Sequence, residues 1–402
     1  MTATLISFLG KSSLDQTRGY RSARYRFDDG SIIETPYVGL ALARKLGSKR
    51  MILVGTASSM WDVLIENTVG DAASEEARVA LMDAVREARV DEALLEQLRP
   101  AFGQHLGCAV EAIIIPAGAR PADQQQLLLR LAKRLNDGET MAIDVTHGFR
   151  HLAMLGLAAA RYLKHSKGMR VKGLYYGALD MMQDGVAPVV ELSGLSQLHE
   201  WAEAFAAYEA SGDFSRFAPL LERDGLAAAD ARALETSWQL LALNNVSDAA
   251  RSLRQVVRAL ETPLPGATGL FQEKLKRSLR WANETELHEQ MRLLALQAFH
   301  RDDFLRATIF GLEGFLARIV AEQGGNPLDY SARVEAAEQF DRELRDGEHA
   351  DWKRRAYLFL RNIRNALAHG TRPTYTPHAQ LLKNPERLRA ELDATLNRLT
   401  NT

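Results

Sequence analysis

The chain has 402 residues, 46% of them hydrophobic and 25% charged, with a net charge of −1; this is ordinary for a globular protein and enough for two or three packed domains. The near-neutral balance excludes a global basic field for holding duplex DNA, so any nucleic-acid contact must be a local cleft. The single cysteine, Cys108, excludes an intramolecular disulfide and a multi-cysteine zinc site and fits a reducing compartment.

In chain order, the opening residues 1–10 lack a basic segment, and no stretch approaches about 18 uninterrupted apolar residues, so a cytoplasmic protein without membrane contact is expected. Residues 4–10 (Thr-Leu-Ile-Ser-Phe-Leu-Gly) read as a buried strand running into Gly10-Lys11-Ser12-Ser13. Residues 25–27 and 31–34 flank Asp28-Asp29-Gly30 as a hairpin, and Pro36 introduces a helix over 38–46. A second parallel-type strand, 50–55, ends in Thr56-Ala57-Ser58-Ser59, and helices are expected over 60–67 and 74–99. A third strand, 110–115, leads through Pro116 and Gly118 into a helix over 122–135. The fourth, 140–145, runs into Thr146-His147-Gly148 and a helix over 149–167, and strands over 169–176 and 187–191 close the set. Strands alternating with helices predict a Rossmann-like α/β domain, a mostly parallel sheet with helices on both faces.

Beyond about residue 192 strand signals cease, and patterns rich in Ala, Leu, Glu and Arg predict an all-α region. Breaks fall at Gly212, Gly225, Pro263-Leu264-Pro265-Gly266, Gly324-Gly325 and Gly347. Residues 208–214, 242–249 and 298–304 each place a small or aromatic helical run before an Asp-led turn; their unequal spacing indicates helical hairpins rather than a regular array. The expected organisation is an α/β domain over 1–192, a connecting helical segment over 193–266 and a helical bundle over 267–402.

Two groups of residues carry chemistry. Near the C-terminus, Arg364, Asn365 and His369 form the pattern R-N-x-x-x-H. RNA cleavage by its own 2′-hydroxyl needs a base, an acid for the leaving oxygen, and positive charge beside the pentavalent phosphate. An imidazole that titrates near neutrality and a guanidinium that never deprotonates supply these. Five positions turn a helix by about 140°, so the two side chains do not stack on one continuing face. The helix is therefore expected to stop at Gly370, with Pro373 preventing continuation and Asn365 capping or holding the geometry. A solvated helix face with an ordinary cap is the plain alternative.

The second group lies at the carboxyl ends of strands, where open parallel sheets bind ligands. Gly10, Lys11, Ser12 and Ser13, then Gly55, Thr56 and Ser58, then Thr146, His147 and Gly148 are candidates for an anionic nucleotide, against the reading that they are only turn and cap residues. Asp144, a carboxylate beside a polyanion, is expected to order the Thr146–Gly148 turn, and His147 either donates to phosphate or is structural. No G-x-G-x-x-G follows the first strand, which disfavours a dinucleotide-dependent oxidoreductase. No metal-ligand cluster is visible, so no metal is expected.

Asp144-Val-Thr-His-Gly148 resembles the D-x-T-H-G motif of a CRISPR-associated protein family, and the stretch from Gly55 to Asp62 resembles its G-T-x-x-S-x-W segment. Arg364 to His369 resembles the R-x4-6-H signature of HEPN ribonucleases, and the segment 306–316 resembles that domain's first packing helix. The chain is thus similar to the CARF–HEPN ancillary ribonucleases of type III CRISPR systems. The resemblance implies a CARF sensor over 1–192 and a HEPN ribonuclease over 267–402, in a homodimer or higher oligomer. It also implies no cofactor and a cyclic oligoadenylate activator, cyclic tetra-adenylate first and hexa-adenylate as the alternative, bound by the strand-end residues named above. Single-stranded RNA would be cut at Arg364, Asn365 and His369 in antiviral defence. A non-catalytic CRISPR-associated nucleotide-binding regulator is the alternative. Ring size, base preference and degradation of the activator by the sensor are not specified by these motifs.

Overall fold

The computed structural model describes residues 3–11, 14–15, 19–65, 75–371, 373 and 375–400. Its internal contacts form two compact units, Met1–Leu195 and Ser196–Thr402.

The first unit contains strands β1 (Thr4–Phe8), β2 (Leu14–Asp15), β3 (Gly19–Tyr20), β4 (Ala23–Arg26), β5 (Ile32–Thr35), β6 (Arg50–Gly55), β7 (Ala109–Ile114), β8 (Thr140–Asp144), β9 (Arg170–Gly177) and β10 (Val186–Glu191). Its helices are α1 (Val38–Lys45), α2 (Glu75–Arg86), α3 (Glu92–Leu106), α4 (Pro121–Arg134) and α5 (Arg150–Ser166). Eight strands form one sheet in the order β5-β4-β10-β9-β8-β1-β6-β7. The run from β9 to β7 is parallel, while β10 is antiparallel to β9 and accepts the β4–β5 hairpin on its other edge. The hairpin turn is the one expected: Gly30 has φ +80°, and Asp29 Oδ1 accepts from Ser31 N at 3.1 Å.

β1 is buried along its whole length, because both faces of the sheet are covered. Alternation along the strand divides its side chains between two cores: Leu5 packs with Met51, Leu53 and Phe102, while Ile6 and Phe8 pack with Ile52, Val54, Leu131 and Leu163.

Two expectations in this unit need correction. The single helix over 74–99 is two helices, because Ala88 turns left-handed (φ +54°) and Asp91 caps a new start by accepting from Leu94 N at 2.8 Å. The second helix then runs through Pro100 to Leu106, since Leu95, Leu98, Phe102 and Leu106 all enter the core; their burial outweighs the hydrogen bond lost at the proline. The helix over 60–67 reduces to a 3-10 turn, Trp61–Leu64, and its last two residues lie outside the described ones.

The second unit has no strand among its described residues; its α-helices are α6 (Ser193–Ser211), α7 (Ala218–Arg223), α8 (Ala228–Ala242), α9 (Val246–Ala259), α10 (Thr268–Leu279), α11 (Leu287–His300), α12 (Phe304–Glu322), α13 (Tyr330–Asp346), α14 (Asp351–His369), α15 (Thr376–Leu381) and α16 (Pro385–Thr400). One continuous core runs from Trp201 to Leu396, so the helices on either side of Gly266 pack together. α12 is buried nearly all round and is the axis of this core. Gly311 and Gly314 let its neighbours come close: a Cβ on Gly311 would lie 2.5 Å from Leu396 Cδ2, and one on Gly314 3.0 Å from Met291 Cβ.

The three Asp-led turns of the sequence share one device. Gly212, Asn244 and Asp302 have positive φ, and the next residue in each case, Asp213, Asn245 or Asp303, caps the following helix through its side chain. Among the described residues no helix is long and apolar enough to cross a membrane.

The left-handed Ala88 yields a prediction. An L-residue carries a steric penalty of roughly 1–2 kcal/mol there that glycine lacks, partly offset by glycine's greater unfolded-state freedom. Ala88→Gly should therefore stabilise the protein by up to about 1 kcal/mol, seen as a higher urea midpoint with an unchanged slope.

Candidate functional site

Chain order places the sheet's switch point at β1. After β1 and the β4–β5 hairpin at the far edge, the chain builds β6 and β7 on one side of β1, then crosses to build β8 and β9 on the other. Connections leave β1 and β8 in opposite directions, which opens a crevice at their carboxyl ends. Gly10 and Gly148 meet there so closely that a Cβ on Gly10 would lie 2.6 Å from the Gly148 nitrogen. Gly148 has φ +106°, a conformation that L side chains rarely adopt.

The neighbouring loop is tied to the same point. Met60 N donates to Gly10 O (2.9 Å) and Ser59 Oγ donates to Leu9 O (2.9 Å), while Thr56 N donates to Ser59 Oγ (2.9 Å). Thr56 and Ser58 hydroxyls lie 3.1 Å apart. Gly55 is required by packing, since a Cβ there would sit 2.7 Å from the buried Trp61 ring. Gly10, Gly55, Thr56, Ser58, Thr146, His147 and Gly148 are thus placed at the ends of the adjacent strands β6, β1 and β8, and Lys11 is exposed beside them. Ser12 and Ser13 lie outside the described residues.

Beneath the crevice is a polar chain that the motif reading missed in part. Asp144 is completely buried; its carboxylate accepts from Ser7 Oγ at 2.5 Å and from Thr146 N at 2.9 Å, and Ser7 also bonds to the Tyr37 hydroxyl. The bond to Thr146 N is the Asx-type turn expected of this residue. Burial pushes the Asp144 carboxyl above the usual range, opposed by His147, Ser7 and the Thr146 amide. Ser7 was legible as a polar residue flanked by apolar ones in the middle of a strand; Tyr37 carried no such signal.

Thr146 Oγ1 accepts from Gly177 N at 2.8 Å, so its hydroxyl holds β9 to this loop. His147 Nε2 accepts from Val38 N, the first amide of α1, at 3.3 Å, and its ring tilts against Tyr37 at 5.2 Å. Burial lowers the His147 pKa against the pull of Asp144. Because Nε2 accepts from the Val38 amide, the ring hydrogen lies on Nδ1 and Nε2 has none to offer a phosphate. α5 starts directly after this loop at an N-terminus with no side-chain cap and no acid in its first turn, an arrangement suited to an anion.

In the second unit, α14 ends as the pattern requires. Gly370 is left-handed (φ +63°), and its amide and that of Thr371 both return to Ala366 O. His369 and Asn365 are exposed and Arg364 is half-buried, and none of the three side chains makes a hydrogen bond or ion pair with another described residue. Arg361 differs: it grips both carboxylate oxygens of Asp341 at 2.6 and 2.7 Å and lies over the Tyr357 ring. Among the described residues no cluster of His, Cys, Asp and Glu could hold a metal ion.

A mostly parallel α/β sheet with a polar, glycine-lined crevice at its switch point defines the first unit as a Rossmann-like α/β domain. Residues 4–180 match the family model described as CRISPR system endoribonuclease Csx1, CARF domain. Over 247 residues the chain is 28% identical to CRISPR-associated protein MJ1674 of Methanocaldococcus jannaschii, a match spanning 56% of this chain and 39% of that relative's length. The structure also aligns, at 11% identity and a TM-score of 0.38, with Enterococcus italicus Csm6 bound to cyclic hexa-2′-fluoro-hexa-dAMP, over 99% of this chain and 94% of the other. Residues 4–180 are thus similar to the CARF domain of CRISPR-associated proteins, and an all-helical region follows them.

Removing the Asp144 carboxylate strands Ser7 and the Thr146 amide in a buried site. Asp144→Ala should cost about 1–3 kcal/mol, read as a lower urea midpoint, whereas Lys11→Ala, at an exposed side chain, should leave the midpoint unchanged.

Proposed function

We propose that this protein is a metal-independent endoribonuclease of type III CRISPR antiviral defence, acting in the cytoplasm and switched on by a cyclic oligoadenylate. The observation that carries the reading is the end of α14, where the Arg364 and His369 side chains make no hydrogen bond or ion pair with another described residue while the nearby Arg361 is consumed by Asp341. A CARF domain over residues 4–180 of the same chain supports a nucleotide input to that output.

The activator sits on the crevice loops. Its phosphates meet the loop amides around Gly10 and Gly148, the open N-terminus of α5 and Lys11, with the Ser12, Ser13, Thr56 and Ser58 hydroxyls around them. Thr146 and His147 act mainly by holding the loop. A ring of four or six adenylates has even symmetry, so it can lie on a protein two-fold axis and present identical halves to two copies of the chain. A homodimer also supplies the chemistry, since one R-N-x-x-x-H motif has one histidine and transesterification needs both a base and an acid.

At the nuclease site the His369 imidazole moves the proton, the Arg364 guanidinium meets the phosphorane oxygens, and Asn365, about 40° from His369 around the helix, positions substrate or histidine. The reaction is attack of a 2′-hydroxyl on the adjacent phosphorus with loss of the 5′-oxygen, leaving a 2′,3′-cyclic phosphate and a 5′-hydroxyl. The activator controls it only through different affinity for two arrangements of the dimer, so some activity without activator is expected.

Fluorogenic single-stranded RNA titrated with cyclic tetra- and hexa-adenylate tests this. Cleavage should rise with one ring size, persist in EDTA, and stop when the scissile nucleotide lacks its 2′-hydroxyl. His369→Ala should lose about 10²–10⁴-fold in rate while still binding activator. Arg364→Lys should also be poor, because an ammonium lacks the planar fork, and Arg361→Ala should be mild. Metal-dependent cleavage leaving 5′-phosphates, or full activity in His369→Ala, refutes the assignment.

A further inference from the structure

A cavity of about 520 Å³ opens between α14, α15 and α16, lined among others by Arg354, Arg355, Phe359, Asn362, Tyr375, His378 and Arg387. Its volume is in the range of about 300–1,000 Å³ typical of small-molecule sites. Nothing in the nuclease chemistry above uses it.

Three properties give it a chemical character. First, Arg354, Arg355 and Arg387 are exposed and have no hydrogen bond or ion pair through their side chains with another described residue, and Glu391 is the one carboxylate of the lining. The rim therefore attracts anions. Second, the wall is aromatic. The His378 ring is met edge-on by Phe359 at 5.4 Å and by Tyr375 at 4.8 Å, and Tyr375 remains 57% exposed. A tyrosine held edge-on by one neighbour while open to solvent presents a ring for stacking. Third, the pocket has a fixed polar floor. Asn362 Nδ2 lies 3.2 Å from His378 Nδ1, so that nitrogen accepts and Nε2 carries the ring's hydrogen; burial lowers the His378 pKa, in keeping with a neutral ring.

Helix geometry joins the pocket to the cleavage residues. Asn362 and His369 are seven positions apart on α14, which puts them within about 20° of each other around the axis and about 10 Å apart along it. One chain of single-stranded RNA can reach from one to the other in a nucleotide or two. Guanidinium groups for the backbone beside an aromatic ring for the base is the combination by which proteins hold single strands.

We propose that this pocket seats one nucleotide of the RNA substrate beside the scissile phosphate, with its base on Tyr375 and its phosphate against Arg354, Arg355 and Arg387. His378 and Asn362 are positioning residues that set the depth and polarity of the base site. The proposal rests on the ribonuclease reading of α14 for its substrate, but it is a statement about binding.

The test uses the full chain and a fluorescein-labelled single-stranded RNA methylated at every 2′-oxygen, which the mechanism cannot cleave. Tyr375→Ala and Arg387→Glu change exposed side chains and should fold as the parent does, checked by thermal unfolding. Each should weaken RNA binding by about tenfold or more, as loss of a base stack or a phosphate contact does. With cleavable RNA both should raise KM while kcat stays within about threefold, and His369→Ala should lose kcat while keeping RNA affinity. Unchanged affinity in both pocket variants, or a parent protein with no affinity for the methylated RNA, overturns the proposal. Affinity that depends on Tyr375 and Arg387 in a protein that cleaves no RNA would support the pocket and sink the ribonuclease reading.

Discussion

The first unit depends on how a fully buried carboxylate is satisfied. Asp144 has no access to water, and an unpaired charge in such a place is too costly to keep. Its donors come from two different elements, Ser7 inside β1 and the amide of Thr146 in its own loop, and Ser7 passes the network on to Tyr37 ahead of α1. One group therefore locks the end of β8, the centre of the sheet and the start of a helix into one geometry. The close approach of Gly10 to Gly148 follows from that lock, as does His147 turning its Nε2 to the first amide of α1. A crevice built this way is held in shape by the protein's own contacts.

In the second unit the arrangement is reversed, with polar side chains left open where the core stops. α12 is enclosed by apolar contacts and α14 buries Tyr357, Phe359, Leu360 and Ile363 on one side. At its last turn the helix runs out of core, Gly370 reverses the chain, and the side chains of Arg364, Asn365 and His369 make no hydrogen bond or ion pair with another described residue. Arg361, one turn earlier, meets Asp341 and becomes structural. Two arginines three positions apart on one helix thus differ: Arg361 holds the bundle through Asp341, while the Arg364 side chain makes no hydrogen bond or ion pair with another described residue.

The sheet strands were legible because each is apolar and bounded by turn residues, and the glycines mark backbone requirements that do not depend on context. The helical hairpins were legible for a related reason: a left-handed residue followed by an Asx cap is a local device, written the same way at Gly212-Asp213, Asn244-Asn245 and Asp302-Asp303. Less visible were the left turn at Ala88, taken by a residue with no preference for it, and the passage of α3 through Pro100, where core contacts overrode a local breaker.

By itself, then, the sequence determined the succession of elements, the small polar strand ends and the stop of α14 at Gly370, since these follow from side-chain chemistry within a few residues. Tertiary structure alone decided the partners. Ser7 meets Asp144 across 137 positions and Val38 meets His147 across 109, while Asn362 meets His378 across the turn that leads into α15. Periodicity cannot carry such information, because hydrogen bonds and ion pairs act over a few ångströms of space, and only the packed fold sets which distant residues share that space.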